Sequence, residues 1–358
     1  MIIGIVCAHT HFVKYLPPEE IAGDMWINFP ALGTASYICY WLICKMFTLT
    51  FFFISGYLFF REHQLDRQLY AGKLRRRVSS LLVPYIIWNA IALLVMYVQS
   101  RWTNGISSHI GDVADYGVKE VIYAFFDCSQ NWSFVGDIGK PANTPLWFLR
   151  DLMILSILSP LFYYLAKWKK WLAPFVLLAI YMSPIHLPHL RNLSIFWFGL
   201  GIWAQLNDID LVGVSRRLVK WCLPVFVVAT TLQEYFWVNG IRWQEYIMVP
   251  VMRVAEFPLL IALTSWVLTK TTRRIPQSLS KGSFFVYLSH VMPTALLCML
   301  TCRYLPHYDG LLTVAYLLIP WVVTACLLAI YLFLARFMPH TLAVLVGKRH
   351  APPSATAT

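Results

Sequence analysis

Charge is what this chain has least of. Only 13% of its 358 residues are Asp, Glu, Lys or Arg, and only 17 are acidic. A soluble domain carries about 25% charged residues, so a solvated globule is excluded. Templates for soluble chemistry are missing as well: there is no glycine-rich phosphate loop, no paired metal ligands and no Gly-x-Ser-x-Gly elbow. The eight cysteines show neither a disulfide framework nor metal spacing, since all but Cys128 fall in or beside apolar stretches. No basic start and no small-residue cleavage site accompanies the first apolar stretch, so it reads as a span and not as a signal peptide. No internal repeat is visible, which counts against the duplicated halves common in transporters.

What the chain has is apolar surface. Apolar residues make up 59% and aromatics 16%, the latter suited to the belts at a membrane interface. A spanning helix needs about 20 mostly apolar residues, and about ten stretches qualify or nearly do: 1–13, 37–60, 81–99, 146–166, 171–187, 193–206, 219–238, 246–268, 283–302 and 311–338. The expected fold is an all-α polytopic membrane bundle, one transmembrane domain over residues 1–350 with a disordered tail at 351–358.

The basic residues supply its orientation. Alternate connecting segments hold eighteen of them, including Arg61, Arg67, Lys73, Lys167, Lys170, Arg216, Lys270 and Lys348, whereas the other side holds Lys14, Arg101, Lys119, Lys140, Arg191, Arg242 and Arg303. By the positive-inside rule both termini are cytoplasmic. Topology and anionic lipid headgroups account for the net charge of +12, so no nucleic-acid partner is needed.

Ionisable groups kept inside apolar spans are costly, and they are the leads to function. His9 and His11 stand two apart, so on a helix only one faces the interior. A buried neutral imidazole can serve as a general base or merely bridge helices, and spacing alone does not choose. Lys73, Arg75, Arg76 and Arg77 cluster at the mouth of the third span, where forked Arg donors suit the phosphates of coenzyme A and also suit lipid headgroups. Trp147, Arg150 and Asp151 share one helical face at i, i+3 and i+4, able to stack and hydrogen-bond a sugar or to anchor the helix end. Arg253 and Glu256 pair at i, i+3. His290 lies roughly 10 Å into its span, at the helical rise per residue, and can meet the first span from the same side.

Four motifs occur in order: Phe51-Phe52-Phe53-Ile54-Ser55-Gly56-Tyr57-Leu58; Arg75-Arg76-Arg77 running to Pro84-Tyr85; Pro145-Leu146-Trp147-Phe148-Leu149-Arg150; and Phe285-Val286-Tyr287-Leu288-Ser289-His290. The series resembles the membrane-bound acyltransferase family 3, bacterial O-acetyltransferases of surface polysaccharides, and is nearest to the fucose 4-O-acetylase-like branch. The resemblance implies a ten-helix inner-membrane enzyme that moves acetyl from acetyl-CoA, with no resident cofactor, to a glycan or lipid-linked sugar. It makes His9, after Ile5-Val6-Cys7-Ala8, the essential histidine. Coenzyme A phosphates fall to Arg75, Arg76 and Arg77 and the acceptor to Trp147, Arg150 and Asp151, while Arg253, Glu256 and His290 form a second line of candidates. Two departures stand out. The family's basic residue eleven positions before the histidine has no place in a chain that begins eight before His9, which reads as either a shortened start or an inactive protein. The family's Arg-x-x-Arg is Arg77-Val78-Ser79-Ser80 here. A polysaccharide or lipid exporter is the alternative.

Overall fold

Long apolar stretches that satisfy every backbone group internally must be helical in a bilayer, and the computed structural model follows that rule. It describes residues 1–21, 25–102, 113–128, 138–168, 170–239, 244–271 and 277–347, among which no strand forms. The main helices are α1 (Ile2–Cys7), α2 (Pro30–Tyr37), α3 (Lys45–Tyr57), α4 (Arg67–Arg77), α5 (Val83–Trp102), α6 (Val118–Ala124), α7 (Trp147–Trp168), α8 (Ala173–Met182), α9 (Asn192–Leu206), α10 (Leu211–Val238), α11 (Gln244–Lys270), α12 (Gln277–Ser289), α13 (Val291–Tyr304), α14 (Asp309–Phe337) and α15 (Pro339–Leu345). Each of the ten expected spans therefore contains helix. Among the described residues, five helices are individually long and apolar enough to cross a membrane, and α12 with α13 makes a sixth if the bent pair counts as one span. The protein is a polytopic all-α membrane protein. The tail at 351–358 and the loop stretches 103–112 and 129–137 lie outside the described residues.

Three departures from regular helix shape the interior. The first span is not one helix: α1 stops at Cys7, the amides of His9 and Thr10 bond three residues back to Val6 and Cys7, and His11 is extended. Between α2 and α3 the backbone widens into a π-helical stretch, Ile38–Cys44, a distortion often found at functional sites. Between α12 and α13 the chain bends by 63° at His290. The cause is Pro293, which has no N–H to offer the carbonyl of Ser289 and cannot continue the ladder.

α9 is the hub. Phe196, Trp197, Phe198, Gly199, Gly201 and Ile202 are all buried, and a helix that is apolar all round must be surrounded. It packs on α3, α7 and α8. The approach to α3 is closest at Gly56 and Gly201, where an added Cβ would collide with the carbonyls of Phe198 and Phe53.

α3, α7, α9 and α11 run side by side toward one end of the bundle. At that end Lys73 Nζ donates to the Phe59 carbonyl and pairs with Glu62 at 2.5 Å, His63 meets Gln205 at 2.9 Å, and Trp203 Nε1 donates to the Lys170 carbonyl at 2.6 Å. The basic α4 belongs to this end. The cavity described below is formed by the opposite ends of the same helices.

Candidate active site

A cavity of about 330 Å³ opens where the unwound first span, the π-helical stretch and the N-terminal ends of α3, α7, α9 and α11 converge. His9, His11, Lys14, Tyr40, Lys45, Lys140, Trp147, Tyr181 and Arg253 line it, among others. Loss of helix after Cys7 explains why both histidines face the same space, with ring centroids 6.4 Å apart. The expectation that only one of them points inward assumed helical geometry, which the chain abandons one residue before His9.

His290 stands behind His9, ring centroids 5.1 Å apart and edge to face. It is fully buried. Its Nδ1 lies 3.1 Å from the Val286 carbonyl and 2.9 Å from that of Tyr287. Both partners are acceptors, so Nδ1 carries the proton and Nε2 keeps its lone pair. Among the described residues Nε2 has no hydrogen-bond partner, a rare condition for a buried polar atom. The bend at His290 thus sets a fixed-tautomer acceptor beside the candidate base.

A chain of polar contacts beside His290 fixes the turn that leads into Trp147. Asn89 Oδ1 accepts from the Asn143 backbone N–H at 2.9 Å, Asn143 Nδ2 donates to the Leu288 carbonyl at 3.0 Å, and Tyr287 donates to the Pro145 carbonyl at 2.5 Å. These bonds lock the Pro145 turn, and with it the start of α7, onto the His290 helix. Trp147 is then held from behind by Arg191, whose guanidinium sits 4.4 Å from the centroid of the indole ring.

Arg150 and Asp151 take a different place. Arg150 is 2% exposed and Asp151 fully buried. Arg150 donates to the carbonyls of Phe126 and Gly139 at 2.6 and 3.0 Å and reaches Asp151 at 3.2 Å. Asp151 in turn accepts from Ser194 Oγ at 2.7 Å and the Arg191 N–H at 3.3 Å. Neither lines the cavity. The face shared with Trp147 in sequence is divided: Trp147 turns to the cavity, while the pair staples the extramembrane loop and the start of α9 to α7. Removing one partner from such a pair costs about 3–5 kcal/mol.

Arg253 does reach the cavity, 1% exposed and paired with Glu256 at 2.5 Å. Arg75 and Arg76 are exposed, and Arg77 lies beside the Phe59 ring at 5.8 Å. They sit at the far end of α3. From Lys45 to Phe59 the helical rise alone spans about 20 Å.

Lys45 and Asn89 were legible without being read. Each is a polar residue inside an apolar run, which by itself marks a functional or structural site. Lys140 carried no such signal, because only folding brings its loop over the cavity.

A family model described as an acyltransferase domain matches residues 1–338. The chain belongs to acyltransferase family 3. It is a membrane O-acyltransferase. The chain is also similar to the succinoglycan biosynthesis protein ExoH of Rhizobium meliloti (strain 1021), 26% identical over 304 residues that cover 83% of this chain and 77% of the relative. No solved structure matches.

Proposed function

We propose that this acyltransferase moves an acyl group, acetyl in the simplest case, from acyl-CoA to a hydroxyl of a bacterial polysaccharide or its lipid-linked precursor at the inner membrane. The observation that carries the reading is His9 facing a cavity with His290 fixed behind it. The acceptor hydroxyl gives its proton to His9 as its oxygen attacks the thioester carbonyl carbon. The resulting oxyanion is met by a cavity cation, of which Arg253 and Lys45 are the deepest. Collapse breaks the carbon–sulfur bond, and the coenzyme A thiolate recovers the proton from His9. Water is not consumed and no redox change occurs.

His290 acts through His9. Its unoccupied Nε2 lone pair can take an N–H of His9 during turnover, which would leave the other His9 nitrogen unprotonated toward the acceptor, the state a general base needs. Trp147 offers a flat apolar face for a sugar ring. Arg75, Arg76 and Arg77 take the coenzyme A phosphates at the opposite end, and the long pantetheine arm bridges the distance. The acceptor's nature is supported by the ExoH likeness, whose name places that relative in the making of a polysaccharide.

The test is acyl transfer from labelled acetyl-CoA in membranes of a polysaccharide-bearing host, comparing wild type with His9→Ala at matched, correctly inserted levels. Loss of a general base predicts a fall of about 100-fold or more. Transfer by His9→Ala at the wild-type rate sinks the mechanism.

A further inference from the structure

Transfer through His9 leaves the second cavity histidine, His11, without a task. His11 lines the same space, and its ring stands edge to face with His9 at 6.4 Å and with Tyr40 at 5.7 Å between centroids. The chain is built to put it there. His11 is extended, at φ −127° and ψ 94°, so its side chain points away from those of its two neighbours. Both neighbours are buried and anchored inward: Thr10 Oγ1 donates to the Val6 carbonyl at 3.2 Å, and Phe12 packs edge to face on Tyr316 at 6.3 Å. His11 is half-buried and turns to the cavity. A histidine kept only to bridge helices would seek a partner across the bundle, whereas here Thr10 and Phe12 hold the segment and the imidazole is left at the cavity wall.

The two imidazoles have unequal surroundings. His9 has His290, with its open Nε2, behind it, while the ring against His11 is that of Tyr40 in the π-helical stretch. Neighbouring titratable groups in different environments take different roles. With centroids 6.4 Å apart the rings are too far for a direct hydrogen bond between them, so His11 does not compete for the His9 nitrogen that receives the acceptor proton. The gap leaves room for one reacting carbon with a ring on either side. A neutral imidazole always carries one N–H. We propose that His11 is a catalytic residue that donates this N–H to the oxyanion, alongside the cavity cation. When the acceptor oxygen bonds to the thioester carbon, the carbonyl electron pair moves onto its oxygen, and His11 holds that oxygen by a hydrogen bond without giving up the proton. The pair returns as the carbon–sulfur bond breaks and the thiolate takes the proton from His9. This role rests on the acyltransferase reading of the same cavity and names a second residue of its reaction.

The experiment uses the full chain in membranes of the polysaccharide-bearing host, with labelled acetyl-CoA and its dithioester analogue, in which sulfur replaces the carbonyl oxygen. His11→Ala should lower kcat for acetyl-CoA about 100-fold, the scale of one lost oxyanion donor, with KM little changed. His11→Asn and His11→Gln each retain an amide N–H, and at least one should recover about tenfold of the loss. Neither amide can serve as a base, so the matching His9 variants should recover nothing. Sulfur accepts hydrogen bonds weakly, so the preference of the wild type for acetyl-CoA over the dithioester should shrink about tenfold or more in His11→Ala. His11→Phe, which keeps an aromatic ring against Tyr40 but has no N–H, should behave as His11→Ala does, so a packing defect cannot stand in for the lost donor. An oxygen-over-sulfur preference equal in wild type and both variants overturns the proposal, since a merely structural histidine would slow both donors alike. Loss of transfer in His9→Ala with full transfer in His11→Ala also defeats this role and leaves the acyltransferase reading standing, while no transfer by the wild type defeats both.

Discussion

His290 obtains both acceptors for its Nδ1 proton from its own helix, so its tautomer is set by backbone geometry rather than by the substrate. That makes it a positioning residue, distinct from one that touches the acceptor. His290→Gln keeps the volume but loses the fixed lone pair beside His9. We expect kcat to fall about 100-fold, the scale of a misplaced catalytic group, with KM for acetyl-CoA unchanged. Steady-state kinetics on correctly inserted protein check it, and a change confined to KM would make His290 a binding residue instead. At this scale the sequence was partly legible. His9 and His290 were visible as ionisable residues in apolar runs, where their cost demands a reason. Trp147, Arg150 and Asp151 were read as one face, and the fold gave them separate tasks, because a buried Arg seeks carbonyls and carboxylates wherever the loop supplies them.

Elements outside the cavity carry their own switchable contact. His307, between α13 and α14, meets both carboxylate oxygens of Glu20 at 2.8 Å, with Nε2 2.6 Å from the Cys302 carbonyl. The Glu20 carboxylate, then the Cys302 carbonyl, raise the imidazole above its ordinary value. Stability from the raised group is fully present below the unfolded value of 6.5 and is lost as pH rises through the folded one. The latch ties the segment after α1 to the α13–α14 corner. Melting temperatures of wild type and Glu20→Gln should differ most on the acidic side of 6.5 and converge at alkaline pH. A difference that grows toward alkaline pH would contradict this assignment. Sequence alone gave no hint of the contact, since 287 positions separate the partners.

Across the whole molecule, polarity is divided by end. Lys73, Lys170 and the α4 arginines gather at one end, and Lys14, Lys140 and the cavity mouth at the other. The positive-inside rule predicts that the first end faces the cytoplasm. In a cysteine-free background, Tyr308→Cys should react in intact cells with a membrane-impermeant maleimide, and Lys170→Cys only after the membrane is opened. The opposite pattern would invert the topology and place the acceptor mouth in the cytoplasm.

The sequence by itself determined the solvent this protein lives in, the helical class that follows and the few ionisable residues worth following, because apolar runs and their cost in hydrocarbon are local properties. Its ordered motifs carried the family. Only the tertiary structure decided which of those residues meet. Pro293 writes its bend locally, but the placing of His290 behind His9, the unwinding after Cys7 that turns His9 and His11 to one side, and the loop that carries Lys140 over the cavity all depend on packing between distant segments. Helical spacing describes a regular helix, and this site is built where the helices stop being regular.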